Sequence, residues 1–406
     1  MAVGPATFPE VMHPVAGFKL GTASAGVKTP GRKDLVLMEL CEEATIAGVF
    51  TLNAFCAAPV QICKKHMPEA ATRYLVVNTG NANAGTGEEG YQDAVTTCQA
   101  VSDLCQTPLA SVLPFSTGVI GEKLPVEKLV EAMPAAKSAL AEDGWDDAAE
   151  GILTTDTRIK GASRQFEYQG KAVTLTGISK GSGMIKPNMA TMLGYVATDA
   201  EVDSELLQSL LSDATNCSFN RITVDSDTST NDSCMLVATG KSGVVVSAED
   251  QNLLSQFKEA LNGVMQELAH AIVRDGEGAT KFVTVQVESA TTQDEALKTA
   301  FEIAHSPLVK TALFASDPNW GRILAVVGRA GIDNLDLEAL QIYLGDVCIV
   351  SKGGRDAQYT EEAGQAVMDQ EEILIRVVLN RGDIAETVWT TDLSHGYVSI
   401  NADYRS

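Results

Sequence analysis

Segments suited to β-strands follow one another in this chain with too little between them for a crossover helix. Asp34–Leu40 and Thr45–Thr51 are short, rich in Val, Ile and Leu, and separated only by Cys41 to Ala44. A parallel crossover needs a dozen or more residues, so runs this close point to antiparallel pairing. Further strand runs are Tyr74–Asn78, Ser111–Phe115, Ala172–Gly177, Gly194–Thr198, Ser233–Thr239 and Phe282–Glu288. Leu340–Val350, Glu372–Leu379 and Glu386–Thr391 make the last quarter β-rich.

Helical periodicity fills the longer gaps, over Tyr91–Leu104, Val126–Leu140, Ser204–Thr215, Ala248–Val273 and Gln293–Ala304. Leu253, Phe257, Leu261, Val264, Leu268 and Ile272 step by three or four and are expected to bury one face. Pro134 is expected to kink or divide its helix. The expected class is mixed α/β, with mostly antiparallel sheets layered with helices and a β-rich C-terminal subdomain from about residue 289 to 406. No repeat with a period of 20–50 residues is present, which excludes solenoids and propellers.

Charge narrows the partners. Lys and Arg number 30 against 53 Asp and Glu, a formal net charge of −23. Such a chain has little to exchange for the counterions of a nucleic acid and little to hold it on anionic lipid. No stretch has the roughly 18 apolar residues a membrane helix needs. The N-terminal residues lack the basic and apolar regions of a secretion signal, so the expected location is the cytoplasm. Eight cysteines are scattered without a CxxC and are expected to be reduced and mostly buried. The five histidines are far apart, and no metal site is expected.

Three familiar patterns mislead. Gly85–Thr86–Gly87–Glu88–Glu89–Gly90 spells GxGxxG, but Glu88 and Glu89 would repel a phosphate. Gly240–Lys241–Ser242 ends like a phosphate-binding loop, yet Met235 stands where its first glycine belongs. Gly177–Ile178–Ser179–Lys180–Gly181 spells the GxSxG of a nucleophile elbow, but Gly183 and Pro187 are poor residues for the helix that must follow.

The most informative stretch is Lys180–Gly181–Ser182–Gly183–Met184–Ile185–Lys186–Pro187–Asn188–Met189–Ala190–Thr191–Met192–Leu193. Polar and charged residues interrupt small ones there, which is not core composition. The segment resembles the self-cleavage site of the ornithine acetyltransferase family, the arginine biosynthesis bifunctional proteins or glutamate N-acetyltransferases. The resemblance extends through Asn78–Gly85, Pro114–Gly121, Thr154–Thr157, Thr223–Asp232, Asp275–Lys281, Ser316–Arg322 and Ile400–Ser406. Leu52–Asn53–Ala54 departs from it, where the family often has Thr-Asn-Arg.

That resemblance implies cleavage between Ala190 and Thr191, giving an α chain of residues 1–190 and a β chain of residues 191–406. Thr191 becomes the nucleophile, and its freed α-amine, with a pKa near 7.7–8.0, its base. Thr117 and Gly118 match the family's oxyanion hole. Thr154, Lys180, Thr191, Glu277, Asn401 and Ser406 match its substrate-binding positions. The implied reaction moves acetyl from N2-acetylornithine to glutamate through an acetyl-Thr191 intermediate. No cofactor is implied; acetyl-CoA is a co-substrate for some members. The implied fold is that of the DmpA-type aminopeptidases, and the implied assembly is a heterotetramer of two α and two β chains. The residues alone leave two other readings open: a hydrolase, acting through Thr191 or Ser179, and an acidic binding protein without turnover.

Overall fold

Apolar side chains occupy both faces of the central strands, and this arrangement demands cover on both sides. The computed structural model describes residues 2–6, 8–186 and 192–403. In chain order its first body comprises β1 (Phe18–Ala23), β2 (Leu35–Leu40), β3 (Thr45–Phe50), α1 (Ala58–His66), β4 (Tyr74–Asn81), α2 (Gly87–Cys105), β5 (Val112–Val119), α3 (Val126–Ser138), α4 (Trp145–Gly151), β6 (Lys160–Tyr168), β7 (Lys171–Lys180), β8 (Leu193–Thr198), β9 (Glu201–Val202), α5 (Ser204–Cys217), β10 (Ser233–Ala238), β11 (Val245–Val246) and α6 (Gln251–Arg274). Two sheets, ordered β1-β2-β4-β5 and β3-β10-β8-β7-β6, carry this body.

Strand alternation sorts the side chains into layers. Val36, Met38, Leu75 and Val77 of the first sheet meet Ile178, Leu193, Tyr195 and Met235 of the second. The intervening Leu35, Leu37 and Val76 face outward onto Cys98 and Val101 of α2 and Leu129 and Met133 of α3. On the far side Val173, Leu175, Val196 and Leu236 pack against α5 and α6. The layers therefore run helix, sheet, sheet, helix. All six stripe residues of α6 from Leu253 to Ile272 are buried, as their spacing requires. Each such apolar side chain contributes about 1.5–3 kcal/mol.

The second body contains β12 (Phe282–Ala290), α7 (Gln293–His305), α8 (Pro307–Phe314), α9 (Trp320–Gly328), β13 (Gln341–Leu344), β14 (Val347–Ser351), β15 (Gly354–Arg355), α10 (Glu361–Met368), β16 (Glu372–Val378), β17 (Ile384–Thr391) and α11 (His395–Ala402). Its strands form one sheet, ordered β15-β14-β13-β16-β12-β17, covered by α7 and α9. Antiparallel pairings predominate in the molecule, although β4–β5, β8–β10, β9–β11 and β12–β16 are parallel.

Several local expectations need correction. The two closely spaced runs β2 and β3 enter different sheets. Leu340–Val350 is two strands, because Gly345 at φ +54° turns the chain between β13 and β14. Pro134 does not divide its helix: α3 is continuous across it. Pro134 is exposed, so the carbonyl deprived of its donor lies on the solvent side. β1 and β6 escaped the sequence reading. β1 carries Gly21, where a Cβ would lie 2.2 Å from the Ala136 carbonyl oxygen of α3, so close packing displaces a strand-forming residue. Of the cysteines only Cys63, Cys98 and Cys234 are buried; all eight are free and Cys217 is exposed. No described helix is long and apolar enough to cross a membrane.

Candidate active site

Thr117 and Gly118 sit near the end of β5, where its parallel register with β4 breaks at Gly80 and Asn81. Gly118 has φ +137°, and a Cβ there would stand 2.2 Å from the Gly80 carbonyl carbon. Only glycine permits that approach. Side-chain amides brace the irregular region. Asn78 Nδ2 donates to the Asn81 carbonyl at 2.9 Å, and Asn81 Oδ1 accepts from the Asn83 amide at 2.8 Å. Asn231 Nδ2 bridges the carbonyls of Ala82 (2.6 Å) and Ser116 (2.9 Å). The Asn-rich motif is thus a brace that fixes the Thr117–Gly118 backbone. The Thr117 hydroxyl has no hydrogen-bond partner among the described residues, and the residue lines a cavity.

Lys180, the last residue of β7, is 3% exposed. Its nearest counter-ion is Asp156, with Nζ 3.9 Å from Oδ2. Asp156 is already engaged: Oδ1 accepts from Lys160 Nζ and from the Gly181 amide, both at 2.7 Å. Lys160 also donates to Asp275 Oδ2 at 2.6 Å. Burial opposes the charge of Asp156, yet Lys160, Lys180 and the Gly181 amide hold its carboxyl below the usual range. Burial outweighs Asp156 at Lys180 itself and lowers its pKa from 10.5. Lys180 thus presents a weakly partnered ammonium to the cavity.

Glu277, in the loop between α6 and β12, is 8% exposed. Thr155 Oγ1 donates to Oε1 and Asn401 Nδ2 of α11 donates to Oε2, each at 2.8 Å. Because the Thr155 proton is used, Ser182 Oγ donates to Thr155 Oγ1, at 2.7 Å. No cation among the described residues lies in ion-pair contact with Glu277. A Cβ on Gly183 would fall 2.4 Å from the Glu277 carboxyl carbon. Gly183→Ala is therefore expected to keep the fold but displace Glu277. Steady-state kinetics should show KM raised about tenfold, with the melting temperature unchanged.

These residues meet. Thr117, Gly118, Thr154, Lys180, Glu277 and Asn401 all line one cavity of about 180 Å³, together with Thr155, Gly183, Ser229 and Asn231. A second cavity of about 330 Å³ shares Gly118, Thr154 and Thr155 with it and opens toward Lys28 and Arg32. Ala190, Thr191 and Ser406 lie outside the described residues. The sequence reading named Thr154 but missed Thr155, whose hydroxyl holds the acid. It also missed the Asp156–Lys160–Asp275 cage beneath.

The decoy motifs are structural. Ser179 is wholly buried within β7, its hydroxyl 3.5 Å from the Leu268 carbonyl of α6, so it is no exposed nucleophile. Gly87–Gly90 opens α2 with both glutamates in the first turn. Lys241 pairs with Glu43 at 2.9 Å. Among the described residues no cluster of His, Cys, Asp and Glu is arranged to hold a metal ion.

A family model described as the ArgJ family matches residues 19–406. The arginine biosynthesis bifunctional protein ArgJ of Pseudomonas fluorescens (strain Pf0-1) is 59% identical over 407 residues, spanning 100% of both chains. The crystal structure of arginine biosynthesis bifunctional protein ArgJ from Bacillus halodurans is 38% identical. It covers 51% of this chain and 97% of that one, with a TM-score of 0.49. The crystal structure of ornithine acetyltransferase complexed with ornithine from Mycobacterium tuberculosis is 33% identical and covers 44% of this chain and 94% of that one, with a TM-score of 0.37.

Proposed function

The chain belongs to the ArgJ family, and on that premise we propose that it is an acetyltransferase of arginine biosynthesis that moves acetyl from N2-acetylornithine to glutamate. The observation that carries this reading is the cavity lined by both Lys180, whose ammonium has only a long 3.9 Å ion pair with the already engaged Asp156, and Glu277, which has no cation in ion-pair contact among the described residues. Buried charges cost several kcal/mol unless paired. A substrate with its own carboxylate and ammonium supplies both partners, Lys180 taking the carboxylate and Glu277 the ammonium.

The reaction is ping-pong. The Thr191 hydroxyl attacks the carbonyl of Ala190 as the peptide carbon–nitrogen bond breaks, water hydrolyses the resulting ester to leave the Ala190 carboxylate and restore the hydroxyl, and the new α-amine then takes the proton from the Thr191 hydroxyl. Thr191 Oγ bonds to the acetyl carbonyl carbon as the carbon–nitrogen bond to ornithine breaks, and the proton passes to the leaving nitrogen. The glutamate amine then attacks the acetyl ester and restores the hydroxyl. Thr117 and Gly118 stabilise the oxyanion in both halves, and Thr154, Asn401 and Ser406 serve as substrate-binding residues. The chemistry needs no cofactor, and acetyl-CoA serves as an alternative donor. The α and β chains assemble as a cytoplasmic heterotetramer.

Incubating purified protein with N2-acetylornithine and glutamate tests the reading. N-acetylglutamate formed in step with ornithine is expected, and release of free acetate alone would replace the transferase by a hydrolase. Thr117→Val removes one oxyanion donor while keeping the shape. It is expected to lower kcat by about 10²–10³ with KM little changed.

A further inference from the structure

We infer that Lys28 and Arg32 are specificity-determining residues that take the side-chain carboxylate of the acceptor, in the cavity adjoining the one lined by Lys180 and Glu277. The inference rests on the ping-pong reading above and on the roles it gives Lys180 and Glu277.

Two amino acids must use one centre. Both present an α-nitrogen to the same acetyl carbon, so both set their α-carboxylate in the same place, against Lys180. Their side chains then leave from one point with opposite charges, an ammonium in ornithine and a carboxylate in glutamate. Glu277 suits the first and repels the second, and at 8% exposure little water screens that repulsion. Thr155 and Asn401 hold the acid in place by donating to its two oxygens. The acceptor's side chain therefore needs a second direction, with cations at its end.

The cavity of about 330 Å³ supplies one. It shares Gly118, Thr154 and Thr155 with the first cavity, so the two are contiguous along that wall. Lys28 and Arg32 lie in the loop between β1 and β2, and each is tied to the common wall. Lys28 packs over Gly80: a Cβ built there would stand 3.2 Å from Lys28 Cβ, and Gly80 is the register partner of Gly118. Arg32 Nη2 donates to the carbonyls of Leu153 at 2.6 Å and Thr154 at 3.4 Å. Asp34 fixes the loop that carries both cations, its two carboxyl oxygens accepting from the amides of Ala25 and Val27 at 2.6 Å each. Asp34 also lines the cavity, but those amides hold its carboxylate. Neither Lys28 nor Arg32 is in ion-pair contact with an acid among the described residues. Two cations thus outnumber the remaining acid on the wall, Asp403, in a chain whose net charge is −23.

The test uses Lys28→Gln, Arg32→Gln and the double variant as full chains. Acceptor kinetics are compared for glutamate and glutamine, and ornithine release from N2-acetylornithine without acceptor is followed in a single turnover. Each single variant is expected to lower kcat/KM for glutamate about fivefold, through KM, and the double variant about twentyfold. Glutamine carries no side-chain charge, so its kcat/KM should not move and the preference for glutamate should shrink by the same factor. Ornithine release should keep the parent's rate, and Arg32→Lys should restore most of the glutamate KM. The inference is overturned if the double variant keeps the parent's KM for glutamate, or if glutamate and glutamine lose equally. Slower ornithine release in Arg32→Gln would make Arg32 a brace for Thr154 and overturn its part. A rise confined to the KM for acetyl-CoA would assign the two cations to phosphoryl groups of that donor and overturn the acceptor site. A parent that forms no N-acetylglutamate would remove the transferase reading and the inference with it, whereas an active parent beside an unchanged double variant would remove only the role of Lys28 and Arg32.

Discussion

Thr191→Ala should remain a single polypeptide of 42.9 kDa and form no detectable N-acetylglutamate, whereas the parent runs under denaturing conditions as fragments of residues 1–190 and 191–406. Two losses coincide in one atom. The hydroxyl is the nucleophile for the peptide carbonyl of residue 190 and, once freed, for the acetyl carbonyl. Without it no new terminus forms, so the α-amine that serves as base is also lost. Removing a nucleophile that works as a unit with its base costs about a millionfold in rate in comparable enzymes. Thr191→Ser keeps a hydroxyl and should retain measurable cleavage and transfer. The discriminating control is Ser179→Ala. Ser179 is sealed within β7 against α6, so its loss should leave both cleavage and transfer intact. A fatal Ser179→Ala, or an active uncut Thr191→Ala, would overturn the assignment.

What the sequence made legible and what it hid divide along sequence separation. The α6 stripe and the strands β2, β4, β8 and β10 could be read because their signals are local: side chains three or four apart on a helix, short Val/Ile/Leu runs in a strand. β1 was hidden by Gly21, whose reason is tertiary: the backbone of a neighbouring helix leaves no room for a side chain there. The site divides the same way. Thr117, Gly118, Lys180 and Glu277 came from family resemblance; composition and spacing alone gave none of them a role. The cage that supports them could not be read at all, because Lys160 and Asp275 are 115 residues apart and meet only when β6 packs on α6.

Lys180→Met should lower kcat/KM for N2-acetylornithine by about a thousandfold, close to 4 kcal/mol at 1.4 kcal/mol per tenfold. The substrate carboxylate would enter a buried cavity with its counter-ion gone, and a charge left unpaired in such a site typically costs 3–5 kcal/mol. The fold should survive. Asp156 keeps Lys160 and the amides of Gly181 and Thr154, so removing Lys180 leaves no bare carboxylate. The pH profile supplies the mechanism-specific readout. Burial depresses the Lys180 pKa in the folded protein below its ordinary 10.5. Only the protonated form attracts the carboxylate, so kcat/KM should fall as pH rises through the depressed value, earlier than an ordinary lysine would dictate. Stability has the opposite sign: the neutral amine is the form the fold favours, so stability is gained as pH rises from the folded pKa toward 10.5. Lys180→Arg keeps its charge throughout that window and should lose the alkaline limb while retaining more activity than Lys180→Met. An unchanged alkaline limb in Lys180→Arg would assign that titration to another group, and an unchanged KM in Lys180→Met would remove Lys180 from the carboxylate site.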